Sequence, residues 1–128
     1  MRITIRTDTE RKVIDITSLV EEALKGSGVA TIFVHHTTAA IAITDLDPGT
    51  DQDLLNAVKE MTPQLDWRHL HDPAHFPDHL WSTIIGPSLS IPFEQGELLL
   101  GSWQRVVLIE LAGPKDRQIT ISASTSTI

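Results

Sequence analysis

The stretch from Val29 to His36 is almost wholly apolar until its last two residues, and it limits the fold more than any other segment. Such a run reads as a β-strand buried on both faces, which needs cover above and below. A second β-like run, Ala39 to Thr44, follows after only Thr37-Thr38. Ile3 and Ile5 alternate with Arg2, Thr4 and Arg6, as in a strand with one dry face. A short strand around Val13 and Ile14, beyond the turn-like segment Thr7 to Glu10, suggests that these two form an N-terminal hairpin. Three or four more strands are expected at Ser88–Pro92, Leu98–Leu100, Gln104–Leu111 and Gln118–Ala123, with turns at Gly96 and Gly113-Pro114.

Three helices interrupt the strands. Ser18 and Glu21 have the spacing of a capping box at the start of the first, which Gly26 and Gly28 end. Asp47-Pro48 opens the second, whose apolar stripe is Leu54, Leu55, Val58 and Met61, and Pro63 stops it. Residues 62–77 are irregular. Asp78 is the expected N-cap of the third, which carries Leu80, Trp81, Ile84 and Ile85 on one face and ends at Gly86-Pro87. Leu54, Leu55, Val58, Trp81, Ile84 and Ile85 are therefore expected in the core. Short connections between strands favour antiparallel pairing. The expectation is one α+β domain over residues 1–128: an antiparallel β-sandwich, jelly-roll-like, with two or three short helices.

The chain has no cysteine, which excludes disulfides, thiolate catalysis and cysteine-ligated zinc, and leaves His, Asp and Glu for any metal. Its formal net charge is -7 and its basic residues are scattered, so nucleic acid is not an expected partner. The opening segment alternates polar and apolar residues, as neither a signal peptide nor a membrane span does, and a cytoplasmic location is expected. A small phosphorylated molecule could still bind, given a local arginine, a helix N-terminus or a bound cation to offset the repulsion. Arg105 and Arg117 are the arginines that could serve.

Histidine is the informative residue. Of six, His69, His71, His75 and His79 fall within eleven positions, and His35 and His36 end the first apolar run. Three neutral imidazoles and a water make an open divalent-metal site, whereas loop histidines can equally be solvated. Pro77 lies between His75 and His79 and speaks against a helical pair of ligands. His36 shares its strand parity with Ile32 and Val34, so it points inward, while His35 and His71 are expected to be dispensable. His79, Ser82 and Thr83 share the polar face of the third helix, which could also be a solvated face.

Asp45, Asp47, Asp51 and Asp53 fail as a calcium loop, because Asn56 stands at the twelfth position. Asp47, Asp51 and Asp53 suit a helix start. Asp45 continues the parity of Ile41 and Ile43, which puts a carboxylate on a dry face in need of a partner or metal. A tight turn at Thr37-Thr38 would hold it about 20 Å from His36 along the strand. Trp103-Gln104, after Gly101-Ser102, puts an aromatic ring and an amide at the head of an apolar strand, where a core Trp is the plain reading.

The segment His36-Thr37-Thr38-Ala39-Ala40 resembles the His-Thr-Ser-Ala segment of YjbQ-like proteins. Ser82 to Pro92 resembles their Leu-Gly-x-Ser-Leu-x-x-Pro block. Gly96 with Gly101-Ser102-Trp103-Gln104 resembles their Gly-x-Leu-x-x-Gly-Thr-Trp-Gln block, and order and spacing agree over nearly the whole chain. The resemblance implies a homotrimer of jelly-roll-like subunits and a secondary thiamine-phosphate synthase activity, joining an aminopyrimidine diphosphate to a thiazole phosphate. It implies a site in which His36, His69 and His79 hold a divalent metal (zinc, manganese or magnesium). Asp45, in place of the family's usual Glu, and Asp53 are then the catalytic acids, and Ser82, Trp103 and Gln104 contact substrate. Where His75 stands the family commonly has Asp or Asn. A non-catalytic trimeric module for a small phosphorylated ligand and a metal-dependent hydrolase remain open at this point.

Overall fold

The computed structural model describes residues 1–70 and 72–125; His71 lies outside them. Eight strands and three helices follow in the order β1 (Arg2–Arg6), β2 (Lys12–Asp15), α1 (Thr17–Glu22), β3 (Gly28–Val34), β4 (Ala39–Thr44), α2 (Thr50–Met61) and α3 (Phe76–Ile85). The chain then continues through β5 (Ser88–Glu94), β6 (Glu97–Leu98), β7 (Arg105–Glu110) and β8 (Asp116–Thr125). A 3₁₀ turn, Pro73–His75, leads into α3. The strands form two antiparallel sheets, ordered β1-β8-β3-β5-β6 and β2-β7-β4. The molecule is thus mixed α+β and built on antiparallel sheets, as expected. Among the described residues, no helix is long and apolar enough to cross a membrane.

The main core lies between the sheets. Ala30, Ile32 and Val34 of β3, Ile91 and Phe93 of β5, and Ile119 and Ile121 of β8 meet Val106 and Leu108 of β7, with Ile16, Val20 and Leu24 from the α1 region. A second cluster lies on the other face of β2-β7-β4, where Val13, Ala40, Val107 and Ile109 are covered by Leu55 of α2 and by Trp81 and Ile85 of α3. β7 is therefore the strand buried on both faces. β3 is not: Val29 and Phe33 remain 44% and 38% exposed, on a face of the five-stranded sheet against which no helix among the described residues is seen to pack. An apolar run shows strand character but not how many faces are dry.

The N-terminal hairpin does not form. β1 pairs with β8 and β2 with β7, so the first two strands enter different sheets. Thr7 anchors the crossing between them: its N–H donates to the Lys115 carbonyl at 2.8 Å and its hydroxyl to Glu110 at 2.7 Å. Glu110 on β7 and Arg117 on β8 form a fully buried ion pair at this seam. Arg117 also donates to the Thr38 carbonyl at 3.0 Å and its hydroxyl at 2.9 Å, while Glu110 accepts from the Ala112 N–H at 3.0 Å. With those donors supplied, a charge pair can sit in the interior.

The helices also differ from expectation in detail. The Ser18–Glu21 box is not made, since Glu21 accepts from the Leu98 N–H and Asp15 accepts from the Thr17 N–H. α2 starts after Gly49 (φ 93°), beyond Asp47-Pro48; Val58 is buried, Leu54 and Leu55 are half-buried and Met61 is exposed. α3 is capped at His75, which puts Asp78 in its first turn. Its inward stripe is Asp78, Trp81, Ser82 and Ile85, and Ile84 is 60% exposed. The cause is Ser82: its small side chain lets α3 approach β4, and its hydroxyl donates to the Ala39 carbonyl at 2.6 Å. That contact rotates Ile84 outward.

Candidate functional site

The site forms where the turn between β3 and β4, residues 35–38, meets the start of α3. Arg117 fixes the Thr38 end of this turn through its two bonds. The His35 N–H donates to the Gln118 carbonyl, and the Gln118 N–H donates in return to His36 Nε2 at 2.9 Å. A ring that accepts at Nε2 carries its proton on Nδ1 in the neutral form. Burial first, and then the Arg117 charge, hold the His36 pKa below the ordinary imidazole value, against the pull of Glu110. His36 is thus a half-buried, neutral side chain that ties the turn to β8.

His79, in the first turn of α3, bonds to the backbone of Thr37. Its pKa is also lowered, by burial first and then by His69 and His75, with the Thr37 contact and Asp78 acting in the opposite sense. His36 and His79 line one open groove of about 700 Å³, together with Phe33, Thr37, Thr83 and Pro87. Ser82 borders it, but its hydroxyl proton is directed to Ala39. Thr83 donates to the His79 carbonyl at 2.8 Å.

On its other side His79 meets two more imidazoles. The His69 ring centroid is 4.7 Å from that of His79, and His75 approaches His79 edge-on at 5.2 Å. His69 and His75 are 6.2 Å apart. Phe76 packs against His69 and Trp67, closing an aromatic wall over this cluster. Behind it, the Asp78 carboxylate takes His75 Nδ1 at 2.8 Å on one oxygen and Arg11 Nη2 at 2.7 Å on the other.

The expected ligand set is therefore divided. His69 and His79 come together, while His36 shares the groove but uses Nε2 on Gln118. Among the described residues, no three His, Cys, Asp or Glu side chains are arranged to hold a metal ion. Asp45 and Trp103 meet elsewhere, in a small groove with Asp47 and Arg105. This groove lies at the far end of β4 from Thr38, six residues or roughly 20 Å away. Asp45 accepts from the Asp47 N–H, Arg105 pairs with Asp15 at 2.8 Å, and Trp103 is 73% exposed rather than core. Gln104 folds back to accept from the Gly101 N–H at 2.7 Å. Asp53 is exposed on α2. Neither Arg105 nor the buried Arg117 is left to meet a phosphate in the histidine groove.

Sequence reasoning counted His75 in the histidine cluster and took Asp78 for a helix cap, but it did not join the two, and it gave Arg11 no place. The local signal for the His75–Asp78 pair was the His-x-x-Asp spacing, which brings side chains together on a helical turn, whereas Arg11 is 67 positions from Asp78 and gives no local signal.

The sequence profile described as "UPF0047 protein YjbQ-like" matches residues 1–126. A UPF0047 protein of Archaeoglobus fulgidus is 31% identical over 125 residues, covering 96% of this chain and 99% of the relative. The UPF0047 protein YugU of Bacillus subtilis is 35% identical over 121 residues, covering 88% and 89%. Among solved structures, a conserved hypothetical protein of Thermus thermophilus superposes with a TM-score of 0.89 at 35% identity, covering 97% of this chain and 99% of that one. An uncharacterised conserved protein of the yjbq/upf0047 family from Clostridium acetobutylicum gives 0.88 at 31% identity, with the same coverage.

Proposed function

The chain belongs to the YjbQ-like UPF0047 family, and on that premise we propose that it is an enzyme acting on a small phosphorylated molecule in the groove beside His79. The observation that carries this reading is His79 itself. It is kept neutral by burial and neighbouring imidazoles, bonded on one side to Thr37, and set at the wall of an open groove. A neutral, oriented imidazole near its working pH is the general acid–base group of choice.

The specific reaction is the condensation that the resemblance implies. The ring nitrogen of a thiazole phosphate forms a bond to the methylene carbon of an aminopyrimidine diphosphate. The C–O bond to the diphosphate breaks, and diphosphate leaves with the electron pair. The His79 lone pair would accept from the pyrimidine's exocyclic amine and support the positive charge that grows on the ring as diphosphate departs.

The divalent ion belongs to the same proposal, as part of the substrate rather than a resident cofactor. Among the described residues no lysine or arginine lines the groove and no three-ligand set exists, so diphosphate must bring its own neutralising charge. Magnesium and manganese ride on phosphate oxygens in this way, and zinc is less suited to it. The homotrimer and a cytoplasmic location are proposed with it; exposed Trp103, Ile84 and Phe33 supply apolar surface for a trimer to cover.

The test incubates purified protein with both substrates, with and without magnesium, and follows thiamine phosphate and diphosphate. Product that requires both substrates, and that falls about 100-fold in His79→Gln, is expected. Binding without turnover would leave a binding module, and phosphate release from one substrate with water alone would leave a hydrolase. Sedimentation equilibrium giving a monomer mass at micromolar concentration would remove the trimer.

A further inference from the structure

We infer that His75 is a second hydrogen-bond-accepting group of the imidazole site and that Asp78, backed by Arg11, is the positioning residue that makes it one. The inference rests on the reading above for its substrate but not for its geometry.

Asp78 is 8% exposed, too buried for an acid that merely complements a helix N-terminus. Its carboxylate is fully committed to side chains, Oδ1 to Arg11 and Oδ2 to His75 Nδ1. Arg11 precedes β2, which is held in its sheet by β7, so the guanidinium reaches α3 from a rigid neighbour. A carboxylate at Nδ1 selects the tautomer with hydrogen on that nitrogen. The neutral His75 ring then carries its lone pair on Nε2, away from Asp78.

His79 stands edge-on to this ring at 5.2 Å and has its own acceptor in the Thr37 backbone. The two rings follow one pattern. Each is held by a fixed acceptor on one nitrogen and keeps a lone pair on the other. His79 lines the first groove and His75 an adjoining one with Arg11 and Lys59; lone pairs on rings whose centroids are 5.2 Å apart suit a group with two donor hydrogens that reaches between them, such as the exocyclic amine of an aminopyrimidine or a water on a magnesium-bound diphosphate.

The experiment reads tautomers by long-range ¹H–¹⁵N correlation on histidine-labelled protein at pH 8, together with steady-state kinetics. Wild-type His75 should show the Nδ1–H tautomer. Asp78→Asn can donate its amide hydrogen to Nδ1 and should switch the ring to Nε2–H. The turnover number should fall about 10–100-fold, the range for loss of a ligand-orienting carboxylate. Asp78→Glu should restore the Nδ1–H tautomer and part of the activity. Arg11→Gln, which keeps the His75–Asp78 contact but removes its backing, should give mixed tautomers and a partial loss; it carries the test if Asp78→Asn does not fold. A wild-type Nε2–H tautomer would overturn the inference. So would a clean tautomer switch that leaves turnover unchanged. If wild type does not join the two substrates at all, the proposed reaction fails separately. Titration with magnesium diphosphate then decides this inference: it must move the His75 and His79 ring signals in wild type and leave the His75 signal of Asp78→Asn unmoved.

Discussion

Arg117→Met is the most demanding test of how this fold is held. The substitution keeps an unbranched side chain but removes the guanidinium from the seam between the sheets. Glu110 loses the two bonds that Arg117 gives it, and Thr38 loses donors to both its carbonyl and its hydroxyl. Glu110 keeps only the Thr7 hydroxyl and the Ala112 N–H, in a position with no solvent access. Breaking a buried pair from one side costs about 3–5 kcal/mol, because the surviving charge is left uncompensated. With an m-value of about 1.5 kcal/mol/M, the urea midpoint should fall by roughly 2–3 M. The double variant Arg117→Met/Glu110→Leu should be more stable than Arg117→Met alone, since it removes the stranded charge. The pH dependence has a definite sign. Burial alone would raise the Glu110 pKa, but its bonds to Arg117, Thr7 and Ala112, and the Arg117 charge, bring it below the ordinary carboxylate value. A depressed carboxylate gives stability that is present above its unfolded pKa and lost as pH falls through the folded one. Wild type should therefore lose this contribution on acidification, and the double variant should lose less. A single-variant cost under about 1 kcal/mol, or single-variant costs that simply add, would refute the account.

The lowered pKa values of His36 and His79 predict stability that is full above an unfolded pKa of about 6.5 and declines as pH falls through the folded values. Urea midpoints from pH 8 to 5 should show that decline, and His36→Gln and His79→Gln should each flatten part of it. Trp81→Ala should cost about 3 kcal/mol in the same titration, through lost packing over Ala40 and Val107 and the lost 2.9 Å bond to Thr62. Gly28→Ala should cost about 1–3 kcal/mol, because its Cβ would lie 1.9 Å from the Ser124 carbonyl oxygen across the β3–β8 pair; an unchanged melting curve would show that β3 can shift there.

What could be read in the sequence was what is local. Alternation located the strands, and Gly86-Pro87 ended α3 where it does end, with Gly86 at φ 102°. The resemblance put His36, His69 and His79 in one site, and the last two do lie together, 4.7 Å apart between ring centroids. Partnership between distant segments was not local. Ile3–Ile5 and Val13–Ile14 looked like a hairpin, yet what sends them to different sheets is a Thr7 bond to a residue 103 positions away. Arg117 read as a candidate for binding phosphate, since a lone arginine in a strand says nothing of the glutamate opposite. Ile84 fitted the helical stripe until Ser82 proved to have a better partner in a strand carbonyl. Asp45 and Trp103 carried the family's motifs, but the length of β4 separates them from the imidazoles within one chain.

The way the strands interleave also bears on how the molecule comes into being. β1 waits for β8, β2 for β7, and β3 has β8 as one of its two partners. On a ribosome that releases about 5–20 residues per second, the first three strands must spend several seconds in the open before residues 105–125 appear. Val29 to Val34 and Ala39 to Ile43 are the apolar segments exposed in that interval. Neither sheet can close early, so nascent chains of this protein should depend on holding factors until β7 and β8 have emerged.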